Sequence, residues 1–313
     1  MIRRASLLIL LSVSSFAFGT VNPSCSGFEF SAEWLYMQNV ENRPYYAEQL
    51  NPDTGTGSGR RFANQQGWHS GYRLDGIYKP CTTSAWDLRW THFPELSNSA
   101  STPTFATDSL IAILLPFSQN NVVNFAQVKD SFKYHSLELS YAQALFGCDP
   151  FVFWLEGGIH YANIRFHENA LYTATDGSFL DLQYFTKFVG VGPEVGMTFE
   201  YKLCTCLTAE MRAQAGLLAS RKHDSFDINA AGSFVGGVLD VEPFWGITPV
   251  FNIRLGLNYA YPCQFYCLNI ELGYEFLSYP HALERIEDVD TYQLSSSIDF
   301  KLHGPYVLLG VCF

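Results

Sequence analysis

Phe251-Asn252-Ile253-Arg254-Leu255-Gly256-Leu257-Asn258-Tyr259 runs into the turn Tyr261-Pro262-Cys263-Gln264-Phe265. Tyr266, Leu268, Ile270, Leu272, Tyr274 and Phe276 then alternate with Asn269, Glu271, Gly273 and Glu275. Apolar residues at every second position over about ten residues make a β-strand with one apolar and one polar face. Two such strands across a tight turn make an antiparallel hairpin. Charges on one face and aromatic-rich apolar residues on the other are the dyad signature of an outer-membrane β-barrel, apolar towards lipid and polar towards the lumen. A secreted β-sandwich alternates in the same way, so the hairpin alone leaves both open.

Working outward, the same unit recurs. Strand-like alternation covers Gly27 to Met37, Trp68 to Lys79, Trp86 to Thr91, the segment around Leu137 to Tyr141, Phe151 to Tyr161, Val191 to Tyr201, Leu207 to Leu217, and Gly304 to Phe313. With the opening hairpin this makes ten strands, twelve if the longer connections hide hairpins. Long connections at 38–66, 93–131, 163–184, 219–246 and 278–302 alternate with short turns, whereas a sandwich has no reason to sort its connections by length. Short turns on the periplasmic side, long loops outside and an even strand number define the expected class: all-β, an antiparallel transmembrane β-barrel. The run Leu110 to Phe117 is too short to span a membrane as a helix; it reads as an element tucked into the barrel mouth or as an extra strand pair. Phe313, behind Val311, Leu309 and Val307 on one face, is the aromatic terminus expected to serve as the assembly signal for the barrel-assembly machinery.

The N-terminus reads as an export signal, residues 1–19, with Arg3 and Arg4 ahead of the apolar run Leu7 to Val13 and small residues at Ala17 and Gly19. Residues 20–313 then form the barrel. No run of about 18 apolar residues is present, which excludes a transmembrane helix. Removing residues 1–19, with two arginines and no acid, takes the formal charge from −11 to −13. That balance argues against nucleic acid as a partner; outer-membrane lipid is the expected surrounding.

Several pieces, in this order, resemble a known family: Gly71-Tyr72-Arg73, Trp86-Asp87-Leu88-Arg89-Trp90-Thr91-His92-Phe93, Phe188-Val189-Gly190-Val191-Gly192-Pro193, Leu255-Gly256-Leu257-Asn258-Tyr259, Gly273-Tyr274-Glu275-Phe276, and Leu302-His303-Gly304 leading into a terminal Phe. Together they resemble the major outer-membrane protein family of chlamydia-like and Legionella-type bacteria. The resemblance implies a porin that is also an abundant envelope component, often joined by disulfides. The last strand departs from the pattern in carrying no charge between Gly304 and Phe313.

Eight cysteines, Cys25, Cys81, Cys148, Cys204, Cys206, Cys263, Cys267 and Cys312, fall at the termini or at short turns. All are therefore expected on the periplasmic side, where disulfides within the chain or to neighbouring copies and other envelope proteins can persist. Zinc usually needs two close cysteine pairs packed together, so no metal and no cofactor are expected. No Gly-x-Ser-x-Gly, His-Glu-x-x-His or Gly-Lys-Ser/Thr motif occurs; His160, four residues beyond Glu156 on the same face, is the nearest approach to an acid–base pair, and no enzyme is expected. The lumen face is expected to carry Glu29, Glu33, Asp75, Asp87, Glu138, Glu156, Glu194, Glu200, Glu210, Glu271 and Glu275 against Arg73, Arg89, Arg212, Arg254 and Lys79. An acidic wall favours cations in a pore. The leading expectation is thus a porin for passive diffusion of small hydrophilic solutes, cation-preferring. The alternative is a disulfide-linked structural or surface-interaction protein whose barrel is plugged, since a barrel this narrow lets acids and bases pair across the lumen.

Overall fold

The computed structural model describes residues 27–39, 45–50, 57–64, 67–106, 109–114, 122–232, 237–288 and 293–313. The expected export signal and Cys25 lie outside these residues, as do 115–117 of the apolar run. In chain order the strands are β1 (Gly27–Asn39), β2 (Tyr45–Leu50), β3 (Gly57–Ala63), β4 (Trp68–Cys81), β5 (Ser84–Ser101), β6 (Leu110–Ala112) and β7 (Val122–Val123). They continue as β8 (Phe125–Cys148), β9 (Phe151–Thr173), β10 (Phe179–Cys204), β11 (Leu207–Ala231), β12 (Gly237–Pro262), β13 (Cys267–Asp288) and β14 (Gln293–Cys312).

Ten of them close into an antiparallel barrel in the order β1-β14-β13-β12-β11-β10-β9-β8-β5-β4. Closure is by β1 against β14, with Phe30 opposite Val311 and Trp34 opposite Val307, and the Phe313 N–H donates to the Phe28 carbonyl at 2.9 Å. A closed ring leaves no unpaired edge, which the hydrocarbon interior requires of any spanning sheet. Both ends of the ring chain and the short turns lie at one end of the barrel.

Over that end the alternation has the phase expected of a lipid-embedded wall. Phe30, Trp34, Leu88, Leu139, Ile159, Val195, Leu257 and Leu272 project outward and are exposed, while Glu33, Asp75, Arg89, Glu138 and Glu271 project inward and are buried. Towards the other end the strands continue far beyond the roughly 9–11 residues a tilted strand needs to cross a bilayer. β8 has 24 residues, β10 has 26 and β12 has 26. The three connections expected at 163–184, 219–246 and 278–302 are indeed external excursions, but among the described residues they are built of strand. β9 and β10, for example, pair without a break from Phe151↔Tyr201 to Thr173↔Phe179.

The reason lies in the other solvent. Along β8 the inward positions are Val128, Asp130, Phe132, Tyr134, Ser136, Glu138 and Ser140, and the outward ones are Lys129, Ser131, Lys133, His135, Leu137, Leu139 and Tyr141. The ladder with β9 runs unbroken through this stretch, yet apolar character crosses from the inner face to the outer face near Ser136. Beyond the membrane the outer face meets water, so the apolar residues turn inwards and pack as in a soluble barrel. Leu180, Leu182, Tyr184, Phe226 and Ile228 repeat the change on β10 and β11. Each fully buried Phe, Leu or Ile there contributes about 1.5–3 kcal/mol of burial free energy, which keeps the hairpins joined without lipid.

The segments between β1 and β4 and between β5 and β8 form a separate four-stranded sheet, β3-β2-β6-β7. Tyr46, Ala47, Leu110 and Val123 from it join the same apolar core, and the Tyr172 hydroxyl on β9 donates to the Tyr46 carbonyl at 2.7 Å. Leu110–Ala112 is therefore a strand seated in the external mouth, the first of the two readings the sequence left open.

Candidate functional site in the barrel lumen

The alternation that exposes Phe30, Leu74, Leu88 and Leu255 to lipid turns their neighbours into the lumen, and the structure places all fifteen acids and arginines assigned to it on that face. Their pairing is denser than spacing alone suggests. Arg73, 2% exposed, holds Glu275 with two hydrogen bonds of 2.8 and 2.9 Å, Glu33 at 2.9 Å and the Thr91 hydroxyl at 2.9 Å. Arg254 holds the other Glu33 oxygen at 2.9 Å and stacks on the Tyr306 ring at 4.4 Å. Tyr306 donates to Glu271. Its phenol fits because Gly256 and Gly273 face it, and a Cβ at either would lie 2.7 or 2.4 Å from the hydroxyl. Arg89 reaches Asp75 at 2.9 Å, Asp87 at 3.0 Å and Glu138 at 3.3 Å, and Arg212 bridges Asp87 and Glu156. Nearest the short turns, Lys79 pairs with Glu29 at 2.9 Å, which also accepts from Asn269 at 3.0 Å.

Every lumen base is thus engaged, and the acids outnumber them. Glu200 and Glu210 stand directly opposite each other on β10 and β11. Both face a cavity of about 270 Å³ that also touches Glu29, Glu156 and Glu271. Among the described residues neither makes an ion pair.

His160 does not meet Glu156 as spacing suggested. Its Nδ1 lies 2.7 Å from Glu194 and 3.7 Å from Glu138, and its Nε2 lies 2.8 Å from the Tyr279 hydroxyl. Glu156 instead accepts from Thr198 and Arg212. Glu138, His160 and Glu194 bring three possible ligand atoms within 4.8 Å of one another, a donor set a divalent cation can use. Arg89 on Glu138 and Tyr279 on His160 already occupy that set as a hydrogen-bonded chain, which Tyr279 extends to Tyr134 at 2.7 Å.

Above the ionic layer the lumen is aromatic. Tyr134, Tyr279 and Phe300 are mutually in ring contact, with Phe132, Phe93 and Phe188 around them, all buried. Sequence reading assigned none of these to the lumen. Phe132 and Tyr134 carry a signal, since both share parity with Glu138, but a lipid-facing reading of every apolar position hides it.

The seven described cysteines sit where expected: Cys81, Cys148, Cys204, Cys206, Cys263, Cys267 and Cys312 all lie at or beside the short turns or at the end of β14, and none is in a disulfide in the structure. Cys267 and Cys312 are register partners across β13 and β14.

The family model described as Legionella pneumophila major outer membrane protein precursor matches residues 20–313. No curated protein matches the chain. Among solved structures, the outer membrane protease OmpT from Escherichia coli aligns at 8% identity and a TM-score of 0.47, covering 95% of this chain and 98% of that one. A FadL homologue from Pseudomonas aeruginosa aligns at 8% identity and 0.32, covering 91% and 89%. OprG from Pseudomonas aeruginosa aligns at 12% identity and 0.30, covering 76% and 98%.

Proposed function

The chain belongs to the family of the Legionella pneumophila major outer membrane protein precursor, and from that premise we propose that it is a narrow, cation-preferring porin of the outer membrane that also serves as an envelope component. One observation carries the reading: the lumen residues named above, in the half towards the short turns, are eleven acids against five bases, with Glu200 and Glu210 opposed on a cavity and outside the ion-pair network. A net negative interior lowers the energy of a cation there and raises that of an anion. Reversal potential in a KCl gradient across a planar bilayer tests it. Cation preference that falls in Glu200→Gln/Glu210→Gln is expected; anion preference sinks the reading.

A second reading rests on the aromatic layer. With Tyr134, Tyr279 and Phe300 in contact across the lumen, the described conformation is closed, which favours a structural barrel tied to its neighbours through periplasmic thiols. Absence of any conductance in the bilayer selects it. In either reading the cysteines oxidise in the periplasm, and the opposed pair Cys267 and Cys312 supports one disulfide within the chain; Cys81, Cys148, Cys204, Cys206 and Cys263 are left for partners.

A further inference from the structure

On the outer wall, the first charged residue met beyond the lipid-facing belt is a cation on four consecutive strands. Outward from the short turns, β8 presents Tyr141, Leu139, Leu137 and His135 before Lys133, and β9 presents Ile159, Tyr161 and Asn163 before Arg165. β10 presents Val195, Pro193, Val191 and Val189 before Lys187, and β11 presents Leu217 and Ala219 before Arg221. The register puts them side by side. Lys133 stands opposite Arg165, Arg165 opposite Lys187, and Lys187 opposite His223, all on one face. Among the described residues none of Lys133, Arg165, Lys187 and Arg221 has a carboxylate within ion-pair distance. Like charges directly opposite in a sheet are destabilising, and this chain has 30 acids to 19 Lys and Arg from which to place a counter-charge. Asp240 pairs with His223 at the end of the row, at 2.8 Å, and not with any of these four.

The row also borders an apolar trough. Between β9 and β12 the outer wall holds a groove of about 390 Å³, floored by Tyr161, Val191 and Trp245 and rimmed by Lys187, Arg221 and His223. Trp245 is 73% exposed and neighbours Ile247 at 78%, as expected of residues standing against lipid at the aromatic girdle.

We propose that this face is a binding site for a phosphorylated glycolipid of the outer leaflet. Its acyl chains lie on the apolar trough, and its phosphates sit on Lys133, Arg165, Lys187 and Arg221. Arginine presents a planar fork that matches phosphate in two-point contact, and lysine adds a point charge. A phosphate between two opposed cations turns a repulsive register into an attractive one. The apolar floor makes the occupant an amphiphile and not a free anion, and the external position of the row makes it a lipid of the outer leaflet. The site rests on outer-membrane placement and is independent of whether the lumen conducts.

The test uses the full chain refolded in a neutral detergent, with an acylated glucosamine disaccharide 1,4′-bisphosphate as the probe. Folding of each variant is confirmed by its unheated migration on an SDS gel. Arg165→Gln/Lys187→Gln, which only relieves repulsion within the wall, weakens binding at least about tenfold, the loss of one charge-assisted contact; Arg221→Gln acts in the same direction. Lys301→Gln, on the far side of the ring, leaves it unchanged. The dephosphorylated glycolipid binds as weakly as the double variant binds the probe, and millimolar inorganic pyrophosphate does not displace it. Equal affinity in the double variant, equal binding of the dephosphorylated lipid, or displacement by pyrophosphate each overturns the proposal, the last in favour of a free-anion site.

Discussion

Arg73 shows what a single residue does in this lumen. Its guanidinium joins carboxylates from β1 and β13, Glu33 and Glu275, which lie 40 and 202 residues from it in sequence, and its side chain and both of theirs are at most 2% exposed. Removing one member of a buried pair leaves an uncompensated charge, which costs about 3–5 kcal/mol. Arg73→Met is therefore expected to lower the unfolding free energy in lipid vesicles by about that amount, and adding Glu275→Gln to recover part of it. A loss under about 1 kcal/mol, typical of exposed pairs, would mean the network is dispensable. Cys81 is the residue-scale case at the surface. It lies beyond the lipid belt, exposed, with its Sγ 3.0 Å from the Ser84 hydroxyl and 3.3 Å from that of Thr83. Hydroxyls donating to the thiolate bring its pKa down to about 7. Deprotonation is what makes the sulfur nucleophilic, so alkylation by iodoacetamide should rise with pH through about 7. Ser84→Ala should move that midpoint upward, and an unmoved midpoint would deny the hydroxyl its role.

At the scale of the element, the strands obey one rule in two solvents. β8 to β11 keep their alternation across the boundary between the two, with irregularities near the short turns at Ala144 to Phe146 and Lys202 to Cys204, but apolar residues face out in lipid and in above it. The lipid-facing halves were legible in sequence because Phe, Leu and Tyr there alternate with charges. The upper halves were not, because Ala126, Val128, Ala170 and Thr186 alternate with residues of ordinary polarity, and only packing against the opposite wall makes those positions interior. The β9–β10 hairpin ends in a tight turn at Ala174 to Ser178, where Gly177 has φ of 83° and the Asp176 carboxylate accepts from the Ser178 N–H at 2.8 Å. An epitope inserted between Asp176 and Gly177 should be reached by antibody on intact cells without loss of the folded barrel. Antibody access only after the outer membrane is opened would invert the topology. At the other end, the opposed Cys267 and Cys312 should give a disulfide joining β13 to β14 on mild oxidation, seen as one cross-linked peptide pair by mass spectrometry. Oxidation solely into pairs with other turns would remove that assignment.

For the whole molecule, closure is the dominant fact. Ten strands with every neighbour paired leave no edge from which SDS can begin unravelling the wall, so unboiled protein should run differently from boiled protein on a gel. Identical migration would contradict a closed barrel. The lumen is filled in two layers, ionic towards the short turns and aromatic beyond. A ten-stranded ring is only slightly wider than the eight-stranded one that side chains just fill, so both layers reach across it. Substituting the junction, Tyr279→Ala, removes the contact to His160 and to Tyr134 and should raise single-channel conductance if the aromatic layer is the barrier to ions. Unchanged conductance would place the barrier in the ionic layer or in the small sheet at the mouth.

The sequence by itself determined the all-β barrel class with ten strands or twelve, the lipid-facing wall, the placement of the described cysteines at the short-turn end and the charges that face inward in the lipid-embedded half; Asp130, Glu168, Lys222 and Asp224, buried in the upper half, it did not reach. All of these follow from a local rule: side chains alternate across a strand, and the solvent on each side selects their polarity. Only the tertiary structure decided which charges pair, that His160 meets Glu194 and Tyr279 and not Glu156, that the long connections continue as strand, and that Tyr134, Tyr279 and Phe300 stack together inside the barrel. Those facts depend on which residues the ring closure brings across from one another, and no spacing along the chain records a distance across a barrel.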